Sequence, residues 1–177
     1  GFREKGRDRY VEDDEFRAVW EAASGPVRDA MDIAYLTGQR PADVLKMRRE
    51  DVRDGFLSVT QNKTGKKLRV KIEGPLQDAL ARILASPNTR ADAALIQNEK
   101  GQPLTVHALR FGFDRARERA GVDFQFRDLR AKAATDTGDL GHAQKLMGHQ
   151  TRAMTEHYTR QRKGEAVAPV GGKREKL

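Results

Sequence analysis

The segment Leu68-Arg69-Val70-Lys71-Ile72 alternates apolar and basic side chains, whereas the chain on either side spaces its apolar residues three and four apart. A two-residue period can be satisfied only by a strand with one face on a core and one in water. Such a strand needs a partner, and Phe56-Leu57-Ser58-Val59-Thr60, rich in strand formers, precedes it across the polar stretch Asn62-Lys63-Thr64-Gly65. The spacing therefore predicts one antiparallel hairpin set among helices. Before it, Phe16, Val19, Trp20 and Ala23 predict a helix over 11–23, and Val27, Ala30, Met31 and Ala34 a second that stops at Thr37-Gly38. Pro41 suits the first turn of a short helix over 41–47. After the hairpin, Leu76, Ala79, Leu80, Ile83 and Leu84 return to helical spacing, Ala94-Leu95-Ile96 reads as a short strand, and helices are expected over 104–120, 127–137, 139–147 and 151–160. Strands and helices do not alternate, so a parallel βαβ sheet is disfavoured. The expected class is α+β: a mostly α-helical single domain with a small antiparallel β-sheet.

A chain of 177 residues is long enough for one such domain and short for two. It has no cysteine, which removes disulfides, zinc-thiolate sites and thiol nucleophiles. No apolar run approaches the ~20 residues of a membrane span, and Gly1-Phe2-Arg3-Glu4-Lys5 is no signal peptide. These features suit a cytoplasmic protein, and the missing initiator Met suits a piece of a longer one. The formal charge of +8 points to a polyanionic partner. Residues 161–177, with five Arg/Lys against two acids, read as a basic tail.

Several familiar chemistries lack their residues. There is no Gly-rich phosphate loop, no HExxH, no Gly-x-Ser-x-Gly turn, and the four histidines have no ligand spacing. The acids are scattered among basic helices, so no metal or cofactor site is expected. The cations are better placed. Arg40 follows a helix stop in Thr37-Gly38-Gln39-Arg40-Pro41-Ala42-Asp43. Lys63 sits in the hairpin turn. Arg127 and Arg130 lie three apart at a helix start, so both are expected on one face. His149 follows Gly148 at a helix junction, and Tyr158 lies nine residues on, in a helix poor in apolar residues. Taken singly, each has an ordinary explanation: a surface pair with Asp43 for Arg40, a solvated turn for Lys63, an exposed helix start for the two arginines, a packed ring for Tyr158.

Together, in this order, they resemble the catalytic domain of the tyrosine recombinases, the phage-type integrases. Thr37-Gly38-Gln39-Arg40 with Asp43 is similar to that family's first box, Lys63 in Asn62-Lys63-Thr64-Gly65 to its hairpin lysine, and Arg127-Asp128-Leu129-Arg130 to its His-x-x-Arg box. Met147-Gly148-His149 with Tyr158-Thr159 matches its Leu-Gly-His and nucleophile. One departure stands out: Arg127 occupies the usual histidine position. It keeps charge and donors but cannot act as a base near neutral pH.

The resemblance implies a catalytic domain over residues 1–160, with the family's N-terminal core-binding domain absent from this stretch. It also implies a site-specific recombinase that cleaves and rejoins double-stranded DNA through a 3′-phosphotyrosine, without metal or cofactor, as a homo-oligomer, a tetramer in the synaptic complex. Arg40, Lys63, Arg127, Arg130, His149 and Tyr158 would be its catalytic residues. Relaxation of supercoils in the manner of a type IB topoisomerase, or a DNA-binding module without catalysis, are the competing expectations.

Overall fold

A computed structural model describes residues 8–148 and 154–155. Helix α1 (Asp13–Ala22) begins at a capping box, with the Glu12 amide donating to the Glu15 carboxylate. Helix α2 (Gly25–Thr37) takes Pro26 in its first turn and is closed by Gly38 in the left-handed conformation (φ 67°), the stop expected from Thr37-Gly38. Short α3 (Pro41–Leu45) follows at once, with Arg40 as its N-cap. After a 3₁₀ turn (Arg49–Asp51), β1 (Val52–Arg53), β2 (Phe56–Thr60) and β3 (Lys67–Lys71) form one antiparallel sheet in that order. Then come α4 (Gly74–Ile83), α5 (Val106–Ala120), α6 (Asp128–Asp136) and α7 (Leu140–Met147). The α+β class stands as the spacing predicted.

The sheet register explains the alternation. Leu57 pairs with Val70 and Val59 with Leu68, so the apolar positions of both strands share the inner face. Ser58 and Arg69 pair on the outer face, where the Arg69 guanidinium lies 4.6 Å from the centre of the Phe56 ring. β1 was not anticipated; two residues are too few to carry a period, and its pairing is set by the tight connection through Asp54-Gly55. The expected strand at Ala94-Leu95-Ile96 is corrected. Ala94 makes only an isolated bridge with Arg48, because the chain facing it turns into the 3₁₀ segment. Leu95 and Ile96 are nonetheless fully buried, and the Leu95 amide donates to the Met47 carbonyl at 2.8 Å.

Helix α2 supplies more of the core than any other element, with Val27, Ala30, Met31, Ile33 and Ala34 buried. Leu76, Ala79, Leu80 and Ile83 of α4 and Leu109, Phe113 and Ala116 of α5 join it. Phe113 stands edge-on to Phe124 and Phe126. A smaller patch (Ala133, Ala134, Ala143, Met147) joins α6 to α7. Helix α6 is unusual: seven successive residues, Asp128 to Ala134, are buried, three of them charged. Each charge is compensated. Asp128 accepts from the Gln125 amide, and Arg130 donates to two carbonyls. The Lys132 ammonium, 1% exposed, meets Asp13 at 2.7 Å, Asp136 at 3.1 Å and the Tyr10 hydroxyl at 3.2 Å. Among the described residues no helix is long and apolar enough to cross a membrane.

Candidate active site

Three loops distant in sequence meet where α2, the hairpin and α7 end. The first is the stop of α2 and start of α3, carrying Gln39 and Arg40. The second is the β2–β3 turn, carrying Gln61, Lys63 and Thr64. The third is the C-terminus of α7, closing at Gly148. A helix ending there leaves its last carbonyls without intrahelical donors. Side chains from elsewhere supply them. The Gln39 amide donates to the Leu146 carbonyl at 2.7 Å, and the Gln61 amide to the Met147 carbonyl at 2.9 Å. Arg130, on α6, donates to that same Met147 carbonyl at 2.9 Å and to the Gly38 carbonyl at 2.7 Å. Its charge also offsets the negative end of the α7 dipole.

Arg130 is thus 95% buried beneath the junction, tying the α2 stop to the α7 end. Arg40 sits above it as the N-cap of α3, half-buried. Its Nη1 is shielded from solvent and has no hydrogen-bond partner among the described residues. Arg49 and Arg117 also bury an unpaired nitrogen, but each fixes the rest of its fork on backbone carbonyls or carboxylates. An orphaned cationic donor costs on the order of 1–3 kcal/mol or more, and an anion delivered to Arg40 would relieve it.

Lys63 is exposed at the hairpin turn. The turn itself is held at its root by Asp43, 1% exposed, whose carboxylate accepts the Asn62 amide at 2.8 Å and faces the Lys46 ammonium at 3.7 Å. Lys46 in turn donates to the Asn62 side chain. The sequence suggested a surface pair between Asp43 and Arg40; the carboxylate is instead spent on the lysine turn. Arg127 and Arg130 were expected on one face of a helix. Arg127 is exposed as the N-cap of α6, while Arg130, three residues on, is inside. His149 and Tyr158 lie outside the described residues; of 151–160, only Met154 and Thr155 are described, and both are helical. Among the described residues no cluster of three or more His, Asp or Glu could hold a metal ion.

Gln39 and Gln61 were not singled out from sequence, although both flank residues that were. A glutamine beside an arginine or lysine carries no periodic signal, and only the fold shows that both are 1% exposed. Gly148 belongs with them. It is left-handed (φ 68°), and a Cβ there would lie 2.7 Å from the Gln61 Oε1 and 2.8 Å from its Nε2.

Comparison with known proteins places the chain among relatives. The model of the phage integrase family matches residues 9–165. The integrase of Escherichia phage HK022 is 32% identical over 161 residues, covering 81% of this chain and 44% of that protein. A lambda integrase dimer bound to a COC′ core site superposes with a TM-score of 0.80 at 26% identity, over 94% of this chain and 52% of that one. A lambda integrase tetramer bound to a Holliday junction matches with the same TM-score at 25% identity, also over 94% of this chain and 52% of that one. The chain thus spans about half the length of these relatives.

Proposed function

This chain belongs to the phage integrase family, and we propose that it is the catalytic domain, over residues 1–160, of a site-specific recombinase that cuts and rejoins double-stranded DNA. The observation that carries this reading is the half-buried Arg40 guanidinium, one nitrogen of which is shielded and without a hydrogen-bond partner among the described residues, at the junction that Arg130 ties together. A guanidinium held at a helix N-cap with one nitrogen shielded from water suits a non-bridging oxygen of a phosphodiester, and the buried Arg130 charge ties the same loop to the α7 end.

The reaction is a balanced exchange. The phenolic oxygen of Tyr158 attacks phosphorus, and the bond from phosphorus to the 5′-oxygen breaks. That oxygen takes a proton from the Lys63 ammonium, and the phenol's proton returns to lysine through solvent. The products are a 3′-phosphotyrosine and a free 5′-hydroxyl. Attack by a 5′-hydroxyl of a partner strand reverses every bond change, so neither cofactor nor metal is consumed. Arg40, Arg130 and His149 donate to the oxygens that gain charge in the transition state, where removal of one fixed donor typically costs ~3–4 kcal/mol, a 10²–10³-fold loss of rate. Arg127 adds a permanent charge at the start of α6, in the place of a titrating histidine.

Exchange between two duplexes requires four cleavages, one per strand, and one tyrosine per chain; four copies satisfy that count. The tetramer of the related lambda integrase supports this assembly. Chromosomal DNA as substrate fits action in the cytoplasm.

The test is covalent capture. The chain is incubated with a library of nicked duplexes randomised around the nick, and DNA-linked protein is recovered from a denaturing gel and sequenced. The wild-type chain is expected to yield a linked species and Tyr158→Phe none. A species that survives Tyr158→Phe overturns the nucleophile; no species from the wild-type chain overturns strand cleavage.

A further inference from the structure

Gln61 and Gln39 form one amide relay that spans all three loops of the junction. The Gln61 NH₂ group spends both hydrogens, one on the Gln39 Oε1 at 3.0 Å and one on the Met147 carbonyl at 2.9 Å. The Gln39 NH₂ group does the same, on the Thr37 carbonyl at 2.8 Å and the Leu146 carbonyl at 2.7 Å. Backbone carbonyls only accept, so neither amide can be rotated by half a turn without setting oxygen against oxygen. The remaining acceptor, the Gln61 Oε1, takes the Thr64 hydroxyl at 2.7 Å, from the far side of the turn that carries Lys63. The Thr64 oxygen accepts the Lys66 amide in turn at 3.1 Å.

We propose that Gln61, with Gln39 and Thr64 on either side of it, is a positioning residue for Lys63. It fixes the lysine turn against the α7 terminus and the Arg40 loop, so that an ammonium on an otherwise exposed turn is delivered to the leaving oxygen. The inference rests on the function proposed above. Its physical basis is the contrast between the ends of the turn. Lys63 makes no hydrogen bond among the described residues and is solvent-facing, yet the residues before and after it, Asn62 and Thr64, are tied to buried groups through Asp43 and Gln61. Gly148 packs on the Gln61 amide closely enough that no larger residue fits without moving it. The turn therefore cannot shift without disturbing the bonds to the Leu146 and Met147 carbonyls that hold the end of α7.

The relay acts through proton delivery and not through charge on the phosphate, so it predicts a dependence on the leaving group. Replacing the bridging 5′-oxygen by sulfur at the cleaved position makes the leaving group a thiolate, which departs without a proton because a thiol is far more acidic than an alcohol. On the duplex recovered by covalent capture, Gln61→Ala and the milder Thr64→Val are expected to slow cleavage about 10- to 100-fold with oxygen, the scale of a 1 Å misplacement. With sulfur both are expected within about threefold of wild type, as is Lys63→Ala. Thr64→Ser, which keeps the hydroxyl, is expected to cleave the oxygen substrate normally. Arg40→Ala is expected to be slow on both. If Lys63→Ala is restored by sulfur while Gln61→Ala and Thr64→Val stay slow, the positioning role is overturned and the chemistry stands. If Lys63→Ala is not restored, the assignment of Lys63 as acid falls, and the positioning role with it. Thermal melting of each variant separates unfolding from misplacement: Thr64→Val, on an exposed turn, is expected to melt with wild type, and a slow Thr64→Val with both substrates counts against the proposal.

Discussion

At the scale of single residues, the junction turns on how little room Gly148 has. Its left-handed backbone would cost a side chain about 1–2 kcal/mol by itself. A methyl group would also press on the Gln61 amide, which is held by hydrogen bonds and cannot swing aside. Gly121, which closes α5 at nearly the same backbone angle, has nothing within 4 Å of the position a Cβ would take. Gly121→Ala is therefore expected to lose only the backbone share, and Gly148→Ala that share plus roughly 1 kcal/mol for each hydrogen bond disturbed. Urea unfolding of the two variants side by side checks this; equal losses would mean that Gln61 yields without cost.

Among the elements, α6 shows where sequence reading stops. Helices α1, α2, α4 and α5 were legible because their apolar residues recur on one side, and the hairpin because Leu68, Val70 and Ile72 alternate with Arg69 and Lys71. Helix α6 was expected over 127–137 and forms over Asp128–Asp136, but it shows no such stripe, so the burial of Asp128, Arg130 and Lys132 was not legible. Its burial depends on partners far off in the chain, Tyr10, Asp13 and Tyr35, which no local pattern announces. The same holds for the site. Arg40, Lys63 and Arg130 could be picked out by their resemblance to the family's ordered boxes, whereas Gln39, Gln61 and the partners of Asp43 needed distant loops brought together.

The packing of α6 has a titration consequence. Burial pushes the Tyr35 and Tyr10 hydroxyls above the usual tyrosine value, and their hydrogen bonds to Asp136 push the same way. Burial opposes the charge on Lys132, but its bonds to Asp13, Tyr10 and Asp136 outweigh that and hold it above the usual lysine value. All three groups keep their protons in the folded chain at a pH where the unfolded chain loses them. Their contribution is complete below about pH 10 and falls as pH rises through the tyrosine and lysine range. Unfolding free energy measured by urea from pH 8 to 11.5 is expected to drop above about pH 10. Tyr35→Phe, which removes one titrating group, is expected to make that drop shallower; an unchanged slope would contradict the pairing.

Over the whole molecule, the β2–β3 hairpin is a place where positive charge is displayed to solvent. The sheet turns its basic positions outward, and Lys66 and Lys67 stand exposed a few residues beyond Lys63 on the same hairpin. If this tip lies along a phosphate backbone, duplex affinity should fall linearly in log–log form with salt. Lys66→Ala with Lys67→Ala should lower that slope by about 2 without altering preference among sequences. Titration of a labelled duplex at several salt concentrations reads both quantities, and an unchanged slope would move the binding face elsewhere.

The two-amide relay also sets a rule for exchanging parts between homologous chains. A graft of the hairpin alone would bring a foreign residue 61 against a resident residue 39, with an NH₂ facing an NH₂ or a carboxylate facing a carbonyl whenever the donor's pair differs. Positions 39 and 61 should therefore be exchanged as one unit, together with the glycine at 148. A chimera that moves all three at once should stay intact where one that splits them stalls.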